Sequence, residues 1–69
     1  MKLSARNQLS GTVTGITHGE AIANVVLDVA GSRLVASITV EAAKELGLVE
    51  GKQVTAVIKA SDVMIGTED

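Results

Sequence analysis

The middle of the chain contains the stretch AIANVVLDVA, residues 21–30, whose period of two predicts a β-strand. One face of that strand carries only apolar side chains, those of Ala23, Val25, Leu27 and Val29. The opposite face mixes apolar with polar side chains: Ile22, Val26 and Ala30 lie beside Asn24 and Asp28. Because a solitary barrel needs only its inner face to be apolar, the apolar side chains on the second face indicate a subunit interface.

Further segments on either side of this stretch also have the composition of strands. They are residues 8–16, 33–39, 52–60 and 62–65. A polar turn at 17–20 separates the first of them from 21–30, so these two strands are expected to pair as a hairpin. A turn at Gly31-Ser32 precedes the third strand, and a turn at Glu50-Gly51 leads into the fourth.

A short helix is predicted between the third and fourth strands. Thr39 is its candidate N-cap, and Gly47 can end it in the left-handed conformation with Leu48 folding back on the last turn. Its apolar stripe consists of Ala42, Ala43 and Leu46. Together the elements predict an all-β fold, a small OB-like five-stranded β-barrel with one short helix, although the same elements could form an open sheet.

The composition limits how such a domain is stabilised. The chain has 69 residues, no aromatic residue and no cysteine, so residues 1–69 are expected to form a single domain with a marginal core. Disulfides are excluded, and one histidine without any thiol makes a structural zinc site improbable. Self-association is the remaining way to supplement the stability of so small a core, and the composition therefore predicts an oligomer.

Net charge and hydropathy argue against two kinds of partner, nucleic acids and membranes. Six basic residues are scattered among eight acidic ones, and the net charge of −2 argues against a broad surface for nucleic acid. Residues that stack on nucleotide bases are also missing, because the chain has no aromatic side chain. No apolar stretch approaches the roughly 20 residues needed to cross a membrane, and no secretory signal is evident. We therefore expect a cytoplasmic protein that binds neither nucleic acid nor membrane.

Hydrogen-bond donors cluster near both ends of the chain. Ser4, Arg6 and Asn7 precede the first strand, Lys59 lies at the end of the fourth, and Ser61 follows it. Hydroxyl, amide and guanidinium groups next to exposed backbone N–H groups suit an oxyanion. A fold that brings the two ends together would therefore enclose a small, doubly charged anion.

Five short segments of the sequence carry a family resemblance that spans essentially the whole chain. They are SARNQLSG at 4–11, Ile38-Thr39, ELGL at 45–48, Glu50-Gly51 and VIKASDVM at 57–64. In these segments the sequence resembles the molbindins, the small Mop-type molybdate-binding proteins built from one TOBE domain. The module is also similar to oxyanion-sensing domains of molybdate-responsive regulators and of molybdate transport ATPases. The domains to which those modules are joined are absent from this sequence, so a storage role is favoured.

The resemblance implies an OB-like barrel assembled as a homohexamer, a trimer of dimers, that holds molybdate or tungstate at subunit interfaces for storage and homeostasis. It implies no organic cofactor, and metal is bound only as the oxyanion. The oxyanion-binding residues that it implies are Ser4, Ala5, Arg6, Thr39, Lys59, Ala60 and Ser61. Secondary anion sites are assigned to the turn around His18 and Gly19.

Other readings compete with storage. The runner-up is an oxyanion-sensing regulatory module that signals to a partner protein. An enzyme is the least favoured class, because no nucleophile with its base, no metal-ligand spacing and no glycine-rich phosphate loop occurs. Taken singly, Arg6 and Lys59 are ordinary surface cations, Thr39 is an N-cap, Ser61 starts a turn and His18 is a solvated turn residue.

Overall fold

Four β-strands and one short α-helix make up the chain, and the computed structural model describes all residues from 1 to 69. The elements are β1 (Asn7–His18), β2 (Ile22–Val29), β3 (Ser32–Thr39), α1 (Val40–Glu45) and β4 (Gln53–Ile58), followed by a 3-10 turn (Ala60–Asp62). The predicted order of three strands, helix and strand is therefore confirmed. No helix of the chain has the length and apolar composition that crossing a bilayer requires.

The strands form one antiparallel sheet in the order β3-β2-β1-β4. The long strand β1 pairs with β4 through its first half, from Asn7 to Thr12, and with β2 through its second half, from Thr12 to His18. A bulge between Val13 and Gly15 shifts the register within the second half. Bulges of this kind bend a strand and increase its twist. The bend allows β1 to pair with β4 along its first half and with β2 along its second half while the sheet curves.

The buried face of the sheet is the one that the alternation in residues 21–30 predicts. Ala23, Val25 and Leu27 are buried, and they pack beside the buried Val13 of β1. Ile22 on the opposite face is about half exposed at 48%, as is Val35 of β3, the partner of Val26 on that face, at 47%. One face of β2 thus forms the core, whereas the other face, which mixes apolar and polar side chains, points away from the core.

The helix begins and ends through the predicted caps. The Thr39 side-chain oxygen accepts a hydrogen bond from the backbone N–H of Ala42 at 3.0 Å. At the other end Gly47 has a φ of +62°, and the N–H of Leu48 donates to the carbonyl of Ala43 at 3.1 Å. This pattern is the Schellman motif, which satisfies carbonyls that the last turn leaves free. The helix is thereby fixed against the end of β3.

The fifth strand predicted for residues 62–65 is wrong for the single chain. After β4 the N–H groups of Asp62 and Val63 donate to the carbonyls of Lys59 and Ala60, which makes the 3-10 turn, and no strand follows. Met64 and Ile65 are 91% and 88% exposed. An apolar alternation becomes a strand only where a neighbouring edge supplies hydrogen bonds, and this turn carries the tail away from the sheet.

The barrel is consequently open in the single chain. β3 and β4 are the two edges of the sheet, and no strand connects them. The open sheet that the sequence also allowed is therefore the one observed, and closure would require a strand that this chain does not place between its own edges.

Candidate functional site

The register between β1 and β4 brings the two donor-rich segments to one end of the molecule. Asn7 lies opposite Ile58, the first residue of β1 against the last of β4. Residues 4–6 immediately precede Asn7 and residues 59–61 immediately follow Ile58. We call this group the basic end; its residues are Ser4, Ala5, Arg6, Lys59, Ala60 and Ser61.

The donors of the basic end are accessible. Ala5 is half-buried, and the other five residues of the basic end are exposed. None of their side chains takes part in the side-chain hydrogen bonds of the chain. Gln8 Nε2 donates to the carbonyl of Ala5 at 3.0 Å, which ties the segment before β1 to the start of that strand. The arrangement presents a guanidinium, an ammonium and two hydroxyls to one region of solvent.

Backbone donors accompany these side chains. In the 3-10 turn Asp62 and Val63 donate their N–H groups to carbonyls, whereas the N–H groups of Ala60 and Ser61 are the first of the turn and have no acceptor within it. Free N–H groups next to cationic side chains are what an oxyanion needs. Asp62, which the sequence interpretation left out of the site, adds a carboxylate to the same turn.

Thr39 lies elsewhere. It is opposite Ile22 at the far end of β3, next to α1. His18 is opposite Ala23 at the end of β1, so His18, Gly19 and Thr39 share a second region, which we call the helix end. The basic end and the helix end are separated by the 12 residues of β1. At about 3.3 Å per residue this path is on the order of 35 Å along the strand, far beyond the reach of one hydrogen-bonded anion.

The Thr39 hydroxyl retains its proton for a second interaction. Its oxygen accepts from the N–H of Ala42, and a hydroxyl that accepts one hydrogen bond can still donate another. Thr39 borders an open depression of about 480 Å³ that is also lined by Glu20, Glu41 and Lys44. Within one chain, therefore, two carboxylates and one ammonium group line the depression at Thr39, and the basic end does not reach it.

One backbone donor of the turn at His18 and Gly19 is used within the chain. The N–H of Gly19 donates to the carbonyl of Ile22 at 2.8 Å, so this group is already occupied. A Cβ at Gly19 would lie 3.0 Å from the same carbonyl oxygen, which explains the glycine. The imidazole of His18 in that turn is exposed.

No three of the chain's histidine, aspartate and glutamate side chains come together where they could hold a metal cation. The polar groups at the basic end are instead of the kind that recognise anions. The candidate oxyanion-binding residues thus form two separate groups on one chain, a cationic group at the basic end and a group at the helix end that includes Thr39.

Comparisons with known proteins identify the family of the chain. A family model described as the TOBE domain matches residues 3–65. Molybdenum-pterin-binding protein 1 of Clostridium pasteurianum is 50% identical over 66 residues, which cover 94% of this chain and 97% of that protein.

Solved structures share the fold. The structure of a molybdate binding protein from Sporomusa ovata matches with a TM-score of 0.92 at 42% identity, covering 97% of this chain and 100% of that one. The cytoplasmic molybdate-binding protein ModG, solved with molybdate bound, matches with a TM-score of 0.84 at 44% identity, covering 87% of this chain and 43% of that one. The chain is therefore a member of the TOBE-domain family, and within it belongs with the small Mop-type molbindins that its motifs resemble.

Proposed function

We propose that residues 1–69 form a single oxyanion-binding domain that binds molybdate or tungstate and serves as a cytoplasmic store of the anion. The bound site is assembled between copies of the chain, the basic end of one copy meeting the helix end of another. The assembly is a homohexamer built as a trimer of dimers. The activity is binding without turnover, so the protein is not an enzyme.

One observation carries the proposal, namely the pairing of Asn7 with Ile58. Through this register the chain's first and last donor segments become neighbours although more than fifty residues separate them in sequence. Arg6 and Lys59 supply two positive charges, and Ser4 and Ser61 supply hydroxyl donors. The N–H groups of residues 60 and 61 complete the donor set.

A donor-only site discriminates between tetrahedral anions. Molybdate is a dianion whose oxygens accept hydrogen bonds and carry no proton near neutral pH. Monoprotonated phosphate presents an O–H group that requires an acceptor, and leaving that group unpaired in a closed site costs about 1–3 kcal/mol. Selection against phosphate therefore follows from the donor chemistry, whereas selection against sulfate depends on the size of the closed site.

The separation of Thr39 from the basic end supports an interface site. Thr39 belongs to the ligand set that the family resemblance implies, yet its own chain holds it at the opposite end of β1. A second copy can present its Thr39 to the basic end of the first. The half-exposed apolar side chain of Ile22, opposite Thr39, and that of Val35 farther along the outer face of β3 suit contact with that copy.

We infer that the ligand is the anion itself and that no organic cofactor is needed. The relative from Clostridium pasteurianum carries pterin in its name, and a pterin ring would be held by stacking on aromatic side chains. This chain has no Phe, Tyr or Trp. Sodium molybdate without pterin should therefore saturate the protein.

Calorimetric titration of the purified protein with molybdate tests the proposal. Saturable binding is expected, and Arg6→Ala should weaken it about 10- to 100-fold because a charge-assisted hydrogen bond contributes roughly 1.5–3 kcal/mol. Arg33→Ala is the matched control, since Arg33 is exposed on β3 and lies opposite Asp28, away from the basic end. Equal affinities of the two variants, or absence of saturable binding by the unmodified protein, would refute the assignment.

A further inference from the structure

Residues 1–6 lie outside the sheet and are tied to it by a single hydrogen bond. β1 begins at Asn7, and the chain bends at Ser4 and Arg6 before it. No backbone group of residues 1–6 takes part in a backbone–backbone hydrogen bond. The bond from Gln8 Nε2 to the carbonyl oxygen of Ala5, at 3.0 Å, is the only hydrogen bond that reaches this segment. The orientation of the peptide group after Ala5 therefore depends on one side chain.

Gln8 is held in the sheet, so it can act as an anchor for that peptide group. It lies opposite Val57 in the pairing of β1 with β4, and its side chain reaches back over three residues to Ala5. A glutamine carries its amide at the end of two methylene groups and has N–H donors, which this bond requires. Asparagine is one methylene group shorter, and methionine has a similar length but no donor.

The bond from Gln8 orients a backbone donor together with the carbonyl that it contacts. The chain has no cis peptide bond, and in a planar trans peptide the C=O of one residue and the N–H of the next point to opposite sides. Because Gln8 holds the C=O of Ala5, the N–H of Arg6 is directed away from Gln8. That N–H donates to no group of the chain. Arg6 thus offers an oriented backbone donor in addition to its guanidinium.

We propose that Gln8 is a positioning residue of the oxyanion site, whose amide holds the peptide group between Ala5 and Arg6 so that the N–H of Arg6 donates to the bound anion. The inference rests on the proposed function, and it adds to the basic end both a donor and the side chain that orients it. Gln8 acts from the opposite side of the peptide group and does not contact the anion. A donor that is oriented before the anion arrives loses little freedom on binding, so it contributes more to affinity than a mobile one.

The position of Arg6 suits this role. Arg6 precedes Asn7, which pairs with Ile58 at the last step of the ladder between β1 and β4. Its N–H therefore lies at the end of the sheet where the 3-10 turn begins, and that turn leaves the N–H groups of Ala60 and Ser61 without an acceptor inside it. Three backbone donors from two segments then accompany the cationic side chains of the basic end.

Substitution of two glutamines tests the role of Gln8 on molybdate affinity. Gln8→Met should weaken molybdate binding about three- to tenfold in calorimetry, since one net hydrogen bond is lost. Gln53→Met is the matched control, because the Gln53 amide donates to Thr12 Oγ1 at 2.8 Å on the same two strands but at the far end of their pairing. It should bind molybdate like the unmodified protein. Equal affinities of the two variants, both folded by circular dichroism, would overturn the inference.

A polar variant separates the lost hydrogen bond from a change in surface polarity. Gln8→Asn keeps the amide and adds no apolar surface, yet its shorter side chain does not reach Ala5. It should weaken molybdate binding like Gln8→Met. Weakening confined to Gln8→Met would assign the effect to the added apolar surface and would refute the inference.

Amide proton shifts report the donor itself, which a merely structural role of Gln8 would not affect selectively. In ¹H–¹⁵N spectra of the unmodified protein, sodium molybdate should move the Arg6 amide proton downfield, as expected for a new hydrogen bond to an anion. In Gln8→Met that movement should be clearly smaller, whereas the Ala60 and Ser61 amide protons should move as before. An unmoved Arg6 amide proton in the unmodified protein, or the same movement in both proteins, would contradict the inference.

The double variant Arg6→Ala with Gln8→Met distinguishes the two donors of residue 6. Arg6→Ala removes the guanidinium and keeps the backbone N–H, so the two losses of affinity should multiply. If Gln8→Met weakened binding only while Arg6 was present, Gln8 would act through the guanidinium and the inference would be wrong. Absence of saturable binding by the unmodified protein would refute the proposed function together with this inference, whereas saturable binding with equal affinities for Gln8→Met and Gln53→Met would refute this inference alone.

Discussion

Thr39 shows how one residue can serve the fold and the proposed site together. Its oxygen caps α1 by accepting from the N–H of Ala42 at 3.0 Å, and its hydroxyl proton remains free to donate to an anion. The capping role needs an acceptor, whereas the binding role needs a donor. Substitutions that keep one of these and remove the other can therefore separate the two roles.

Thr39→Asp is predicted to retain stability and lose anion binding. Aspartate is at least as good an N-cap as threonine, so the free energy of unfolding should change by less than about 0.5 kcal/mol. Its carboxylate donates no hydrogen bond and repels a dianion, so molybdate affinity should fall at least about tenfold. Urea unfolding and calorimetry measure the two effects. Thr39→Ser, which keeps both functions, is the control, and equal molybdate affinity for the two variants would exclude Thr39 from the site.

Ala30 lies in the left-handed backbone conformation, which favours glycine over alanine. It is the only non-glycine residue with a positive φ, at 51°, and it precedes Gly31 in the turn between β2 and β3. Ala30→Gly is expected to stabilise the protein by about 0.5–1 kcal/mol, since relief of the left-handed strain exceeds the added entropy of the unfolded chain. Thermal unfolding measures this. Ala21→Gly, at an exposed position without positive φ, should give no such gain, and destabilisation by Ala30→Gly would contradict the strain argument.

Among the secondary-structure elements, strand β1 contains two glycines that differ in how closely other atoms approach them. A Cβ on Gly11 would lie 3.0 Å from Val29 Cγ2 and 3.1 Å from the carbonyl oxygen of Asp28. A Cβ on Gly15, beside the bulge, would meet nothing within 4 Å. Gly11 therefore allows β1 and β2 to approach closely, whereas Gly15 is not required by packing.

Gly11→Ala is predicted to destabilise the protein by about 1–3 kcal/mol, because the backbone carbonyl of Asp28 cannot move aside without shifting β2. Gly15→Ala in the same strand is the matched comparison and should be neutral within about 0.5 kcal/mol or slightly stabilising. Equilibrium urea unfolding of both variants gives the difference. Equal stability of the two would show that the close approach at Gly11 does not constrain the sheet.

Local sequence predicted those elements whose causes are local. The alternation in residues 21–30 identified the buried Val25 and Leu27, and the caps at Thr39 and Gly47 fixed the helix. The short apolar run within residues 62–65 also has the composition of a strand but forms none in this chain. A strand forms only where a neighbouring edge supplies its hydrogen bonds, and local composition does not show whether such an edge is within reach.

At the scale of the whole molecule, six of 69 residues are buried and none of them is aromatic. Such a core stabilises a single chain weakly, which agrees with the expectation that association supplements it. Sequence also indicated that the chain's two donor segments belong together, and the pairing of β1 with β4 places them at one end. It gave no sign that Thr39 lies at the other end, because the distance between motifs depends on strand register.

Ligand binding across copies should stabilise the assembled protein. At a molybdate concentration about one hundred times the Kd, the free energy of unfolding is expected to rise by about 2.7 kcal/mol. Thermal unfolding with and without molybdate at one fixed protein concentration measures the shift. Arg6→Ala should show a clearly smaller shift at the same molybdate concentration, and an identical shift in this variant would mean that the anion acts elsewhere.

The most direct test of an oxyanion site shared between copies is native mass spectrometry of the unmodified protein with and without molybdate, because it reports subunit number and bound mass together. We expect a hexamer that gains discrete molybdate units, with none carried by single chains. A monomer that binds molybdate by itself, or an assembly that gains no mass, would contradict it.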